Sequence, residues 1–142
     1  MLKLLKYPVK EALKGPDLTQ EEILNMLGNE IRIVPKLDID KDKRNYLLIT
    51  MDSFSENEGN SEFRDNMINF HIICHYDTYD LGDFKLRPYK IAGEIDAMFN
   101  KKHLSGIGQL NFIAGFNLNI SEPEFGGFGL SYMAIHGKED RK

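Results

Sequence analysis

A chain of 142 residues, 42% hydrophobic and 28% charged, has the composition of one globular domain. Its formal charge of −4 argues against broad nucleic-acid binding, which needs a basic footprint. A single cysteine, Cys74, excludes an internal disulfide, and no apolar run is long enough to span a bilayer. A chain of this length buries about two-thirds of its unfolded surface, so it needs no metal or disulfide staple.

The opening stretch MLKLLKYPVKEALK is interrupted by Lys3, Lys6 and Lys10, with Pro8 between them, and so lacks a signal-peptide core. We expect a soluble, non-exported single domain over 1–142, with a frayed charged tail at 137–142. Lys3, Lys6, Lys10 and Lys14 make a small basic patch, read as a solvated face or as a surface for an acidic partner.

LTQEEILNMLG reads as a helix. Thr19 caps it, Glu22 reaches back to complete a capping box, and Leu18 staples onto Ile23. Ile23, Leu24 and Leu27 form its expected buried stripe, and Gly28 supplies a left-handed stop. A short helical turn over 9–14 precedes it. EIRIV, closed by Pro35, reads as a short edge strand. NYLLITM (45–51) is apolar almost throughout, as in a strand covered on both faces. The segment 52–65, DSFSENEGNSEFRD, has no period and is read as a mobile arm between two strands.

Residues 66–76 alternate. Ile68, Phe70, Ile72, Cys74 and Tyr76 take the core face, and Met67, Asn69, His71, Ile73 and His75 the other. RPYKIAGEIDAMFNKK (87–102) has helical spacing, with Pro88 in its first turn and Ile91, Ile95, Met98 and Phe99 facing inward. In 109–120, Leu110, Phe112, Ala114, Phe116, Leu118 and Ile120 form one face. Gln109, Asn111, Ile113, Gly115, Asn117 and Asn119 form the other. A last strand, 128–136, sets Phe128, Leu130, Tyr132 and Ala134 on the core face. The expected class is α+β, order α–β–β–β–α–β–β. A mostly antiparallel sheet carries helices on one face and a hairpin arm.

The sequence offers several lures for chemistry. NFHIICHYD holds two histidines, the cysteine and an aspartate, but His71 and His75 stand about 13 Å apart along a strand. Metal ligands lie about 2 Å from a shared ion, so these two do not chelate one without a sharp bend. Asp38, Asp40 and Asp42 mimic a calcium loop, yet Lys43 and Ile49 occupy the glycine and bidentate glutamate positions. Glu94 and Asp96 diverge on a helix. GGFG (126–129) lacks the lysine and helix of a phosphate loop. No catalytic residue, metal or other cofactor is assigned.

The non-core face stands out. It carries Asn69, His71, His75, Gln109, Asn111, Asn117, Asn119 and Ser131, with Ile73, Ile113 and Met133, and no Lys, Arg, Asp or Glu. Solvated sheet faces and edges use charge to refuse other strands, whereas interface cores are depleted in charge. Two readings stand: a face packed against other subunits, or one covered by the chain's own N-terminal segment or arm.

In layout, over roughly 18–136, the chain resembles phage tail terminator and head–tail joining (neck) proteins. The element order, the sheet, the loose 52–65 arm and the strand–helix–strand centre carry the resemblance. It implies a structural virion protein without catalysis, built as a homo-oligomeric ring, hexameric by family habit. The sheet face would pack between subunits. Phe54, Glu56, Glu58 and Phe63 of the arm would reach a neighbour. Other partners would be tube and connector subunits, with no membrane and no reading of nucleic-acid sequence. The location would be the neck or tail of the virion, after assembly in the host cytoplasm. Two alternatives stand beside it: a small cellular protein–protein interaction domain, and a small hydrolase using His71, His75 or His136 as base.

Overall fold

The computed structural model describes residues 1–33, 45–57, 60–104 and 108–137, with side chains described outside 52–65 and 135–137. In chain order the elements are α1 (Leu2–Lys6), a 3-10 turn (Lys10–Lys14), α2 (Gln20–Met26), β1 (Ile31–Arg32), β2 (Asn45–Asn57) and β3 (Asn60–His75). A second 3-10 turn (Tyr76–Thr78) leads to β4 (Asp80–Gly82), β5 (Lys85–Leu86), α3 (Arg87–Phe99), β6 (His103–Leu104), β7 (Gly108–Leu118) and β8 (Phe125–Gly137). Six strands form one sheet in the order β1-β2-β3-β8-β7-β6, and β4 and β5 form a separate two-stranded ribbon. Among the described strands, β1 and β2 pair in parallel and the other ladders of this sheet are antiparallel. The class is α+β, as the residue pattern requires.

The main core lies on one face of the sheet. Ile68, Phe70, Ile72 and Cys74 of β3 meet Leu130, Tyr132 and Ala134 of β8 there, beneath Ile91, Ala92 and Ile95 of α3 and Leu4 and Leu5 of α1. All three helices contribute to this cluster, α2 through Met26. Phe70 stacks on Phe99 at 5.3 Å and meets Tyr132 edge-on at 5.7 Å. Tyr132 donates its hydroxyl to Asp96 at 2.8 Å, so the one polar tip in this aromatic cluster is satisfied.

The capping box of α2 forms: the Glu22 N–H donates to Thr19 Oγ1 at 3.2 Å, and the Thr19 N–H to Glu22 Oε1 at 3.4 Å. Gly28 takes φ +83° in the turn that follows. The buried residue of this helix is Met26, however, while Leu24 and Leu27 stay more than half exposed. The helix is only seven residues long and meets the core through its last turn, so the sequence stripe is not the one used. In α3 the same holds for Met98, which is exposed while Ala92 takes a core place.

The expected strand at 30–34 is β1, a two-residue strand at the sheet edge. The segment 52–65 is the expected hairpin arm. Its described backbone continues β2 and β3 as a paired hairpin, with Phe54 opposite Asn66, Ser55 opposite Asp65 and Glu56 opposite Arg64. The arm contacts expected of Phe54, Glu56 and Phe63 concern side chains outside the described set, and Glu58 lies outside the described residues altogether. So do Asp38, Asp40 and Asp42 of the calcium-like stretch, Pro35, and the tail 138–142.

Cys74 is fully buried, and burial pushes its thiol up to about 12. Native protein is therefore expected to label with a maleimide at least a hundredfold more slowly than unfolded protein. Comparable rates would show that the strand opens locally.

Candidate functional site

The described residues divide the sheet into a helix-covered face and a helix-free face. On β3 the alternation holds: Asn69, His71, Ile73 and His75 face away from the helices, opposite Ser131, Gly129, Gly127 and Phe125 of β8. Tyr76 departs from its expected core place, because the strand ends at His75 and Tyr76 turns outward in a 3-10 turn, 55% exposed.

On β7 the alternation breaks. Phe112 pairs with Tyr132 and Ala114 with Ser131, which leaves Ile113 as an extra residue in a β-bulge. A one-residue insertion exchanges faces. Beyond it, Ala114, Phe116 and Leu118 lie on the helix-free face, and Gly115 and Asn117 on the helix side. Asn117 therefore does not belong to the uncharged face: its Oδ1 accepts from the Tyr89 hydroxyl of α3 at 3.4 Å. Asn119 lies just past the end of β7. Phe116 is the residue the sequence put on the wrong side. It lies edge-on to His71, with ring centroids 6.4 Å apart, and over Gly129, where a Cβ would stand 2.4 Å from its ring.

The helix-free face is not uniformly open. At the end near His75, Tyr46, Ile73 and Phe125 form a second small core with Leu118 and Ile120, so the chain covers that end with its own 118–125 turn. The N-terminal segment packs on the opposite face, through Leu4 and Leu5. His75 belongs to the covered end. Its Nδ1 accepts from the Asp77 N–H at 3.1 Å and its ring meets Phe125 edge-on at 5.0 Å. In the neutral ring the proton sits on Nε2, 3.4 Å from Glu124 Oε2. This arrangement caps the end of β3 and offers no exposed base. Asn69 is buried too, and accepts from the Ser131 hydroxyl at 2.5 Å.

What remains accessible is the middle and the hairpin end of the face: His71, Asn111 and Ser131 half-buried, Gln109, Ala114 and Phe116 exposed. Among the described residues the only charge on this face is Arg32, on the edge strand β1, and it stacks over Tyr46 at 5.3 Å. The result is a more apolar surface than the sequence suggested, because the bulge brings Ala114 and Phe116 to it. Among the described residues no three His, Cys, Asp or Glu side chains converge as a metal-ligand set. His136 lies outside the described side chains.

Two features escaped the sequence reading. The first is Arg87, fully buried at the start of α3 with no carboxylate beside it among the described residues. Its Nε donates to the Thr78 carbonyl at 2.7 Å. Its two Nη groups donate to Leu4 O (2.7 Å), Tyr7 O (2.9 Å) and Pro8 O (3.1 Å). The last carbonyls of α1 have no partner within their own helix, and the guanidinium fork supplies one. Asn45 and Thr78 complete the cluster: the Thr78 hydroxyl lies 2.9 Å from Asn45 Oδ1, and Asn45 Nδ2 donates to Leu4 O at 3.4 Å. Burial pulls the Arg87 pKa down, yet the carbonyl cage keeps the cation satisfied. The second feature is the β4–β5 ribbon. Its tip, Asp83 and Phe84, has φ of +53° and +62°, and Phe84 is wholly exposed.

Residues 1–134 match the family model YomW, and the chain belongs to the YomW family. The family is phage-type, of the Bacillus SPbeta-like kind. No curated protein matches the chain significantly.

Proposed function

We propose that this protein is a structural assembly protein of a phage, forming an oligomeric ring at the neck or tail end in a terminator or head–tail joining role. The observation that carries the reading is the helix-free sheet face. Over its accessible part it pairs exposed apolar groups, Phe116 and Ala114, with amides and a histidine, and its described residues include no charge apart from edge Arg32. Such a face is poorly suited to permanent solvation and well suited to burial against protein. Membership of a phage-type family supports the setting. The partners are further copies of the chain, a hexamer being the proposed count, and neighbouring tube or connector subunits. The setting is the virion, after assembly in the host cytoplasm. The reading assigns no catalysis, no cofactor and no membrane.

Charge placed on the face tests this. Asn111→Lys and Ala114→Glu should each abolish assembly, because an unpaired charge buried between subunits costs several kcal/mol. Neither side chain reaches the main core, so thermal stability should change by no more than about 0.5 kcal/mol. Mass by light scattering, read beside thermal melts, is the measurement. Normal assembly by both variants would overturn the reading. A wild-type chain that stays single at assembly concentrations would favour a protein–protein interaction domain instead.

A further inference from the structure

Among the described residues the sheet has two partly uncovered edges. Strand β6, among the described residues, covers β7 only at Gly108 and Gln109, and β1 covers β2 only at Leu47 and Leu48. Beyond Gln109, β7 is guarded for a few residues more. Leu110 donates its N–H to Lys102 O at 3.0 Å, and Phe112 donates its own to Asn100 Oδ1 at 3.0 Å. From Ile113 to Leu118, among the described residues, no group takes the outward amides, and the stretch is solvent-exposed until Leu118. Lysines and prolines usually guard such an edge. IAGFNL contains neither, nor any other charge.

The four long strands β2, β3, β8 and β7 alternate in direction through three antiparallel ladders. An even number of alternating strands leaves the two edges running opposite ways. A copy repeated about an axis therefore brings its β2 edge antiparallel to the β7 edge of its neighbour, without being turned over. The ladders also fix the levels. Asn117 aligns through Phe128 and Ile72 with Leu47, and Leu110 through Ala134 and Asn66 with Phe54. So, among the described residues, β1 blocks β2 at the level where β7 is free, and β6 blocks β7 where β2 is free. Pairing then requires the neighbour to be staggered along the strands, which is the condition for strands inclined to the axis of a closed sheet.

We propose that the β7 edge, Ile113–Leu118, is the assembly edge, and that it adds the β2 edge of a second copy beyond Leu48 as an antiparallel strand. Head-to-tail contacts of this kind close into rings. Main-chain hydrogen bonds supply the attachment, and Phe116 of one copy extends the helix-free face towards Thr50 of the next. This inference rests on the ring reading above and names its joint.

Asn117→Pro tests it. Leu110 and Phe112, on the helix side of β7, point their N–H groups outward, and Asn117 shares that side, so proline removes an outward donor and spares the ladder to β8. The assembled mass should fall to that of one 16.3 kDa chain with the melting temperature nearly unchanged. A second test needs no destabilising change. Met51→Cys with Asn117→Cys, joined by a short bis-maleimide, should give a ladder of covalent multimers, Cys74 being shielded. Asn117→Cys alone should give none. Full assembly by Asn117→Pro, or no ladder from the double variant, overturns the edge proposal. If the Asn111→Lys variant still fails to assemble in that case, the ring reading stands without the edge proposal. Dimers from Asn117→Cys alone would mean that the edge pairs with itself, which also overturns the proposal. Should the proline variant not fold, the cross-linking pattern decides alone.

Discussion

Arg87→Met should destabilise the subunit by about 3–5 kcal/mol, the largest loss expected from any single side chain. Methionine keeps much of the packed volume but removes the guanidinium donors from the carbonyls of Leu4, Tyr7, Pro8 and Thr78, leaving Leu4 O only the 3.4 Å contact from Asn45 Nδ2. Each buried acceptor left unpaired costs about 1–3 kcal/mol, and relaxation of the N-terminal segment recovers part of that sum. For a chain of this size the loss corresponds to a fall in melting temperature of roughly 10 °C or more. Arg87→Lys should lie between, since an ammonium has three donors and lacks the planar fork that spans the cage. Urea unfolding measures the loss, and limited proteolysis before Pro8 should show the segment released. A cost below about 1 kcal/mol, with the segment still protected, would mean that the cage is incidental.

The second large effect is expected at Gly127. It faces Ile73 across the β3–β8 ladder, and a Cβ there would stand 2.1 Å from the Ile72 carbonyl oxygen. That oxygen is main chain in the central ladder, so the strands themselves must separate. Gly127→Ala should cost about 3 kcal/mol or more, at or above the upper end for overpacking. At Gly129 the nearest atoms a Cβ would meet are those of the exposed Phe116 ring, which can swing into solvent. Gly129→Ala should cost about 1 kcal/mol, while displacing Phe116 from the assembly face. Equal costs at the two glycines, measured by denaturant melts, would contradict this account of how closely the strands approach.

Much of the layout was legible because it rests on local chemistry. Thr19 and Glu22 announce the start of α2, and the alternation Ile68–Phe70–Ile72–Cys74 is matched by Leu130–Tyr132–Ala134 across the ladder. What failed were features set by a single residue or by distant chain. The bulge at Ile113 leaves no mark in an unbroken alternation, so Ala114 and Phe116 were assigned to the core side and Asn117 to the open one. Arg87 sits beside Pro88 at the start of a helix, where an arginine ordinarily reaches solvent; only the arrival of residues 4–8 makes it a core residue. Phe84 could not have been expected at φ +62°, because a bulky side chain disfavours that region.

The Arg87 cage also sets an order of events during synthesis. The Leu4 carbonyl and the guanidinium are 83 residues apart in sequence. A five-residue α1 cannot hold itself in water. Residues 4–8 are made long before Arg87 and are thus expected to find their place late, after β2 and β3 have paired and α3 has begun to form. Until then Leu4 and Leu5 are sticky and unshielded on a nascent chain. A growing polypeptide stalled before residue 87 should recruit a holdase chaperone, and one stalled well beyond residue 99 should let it go.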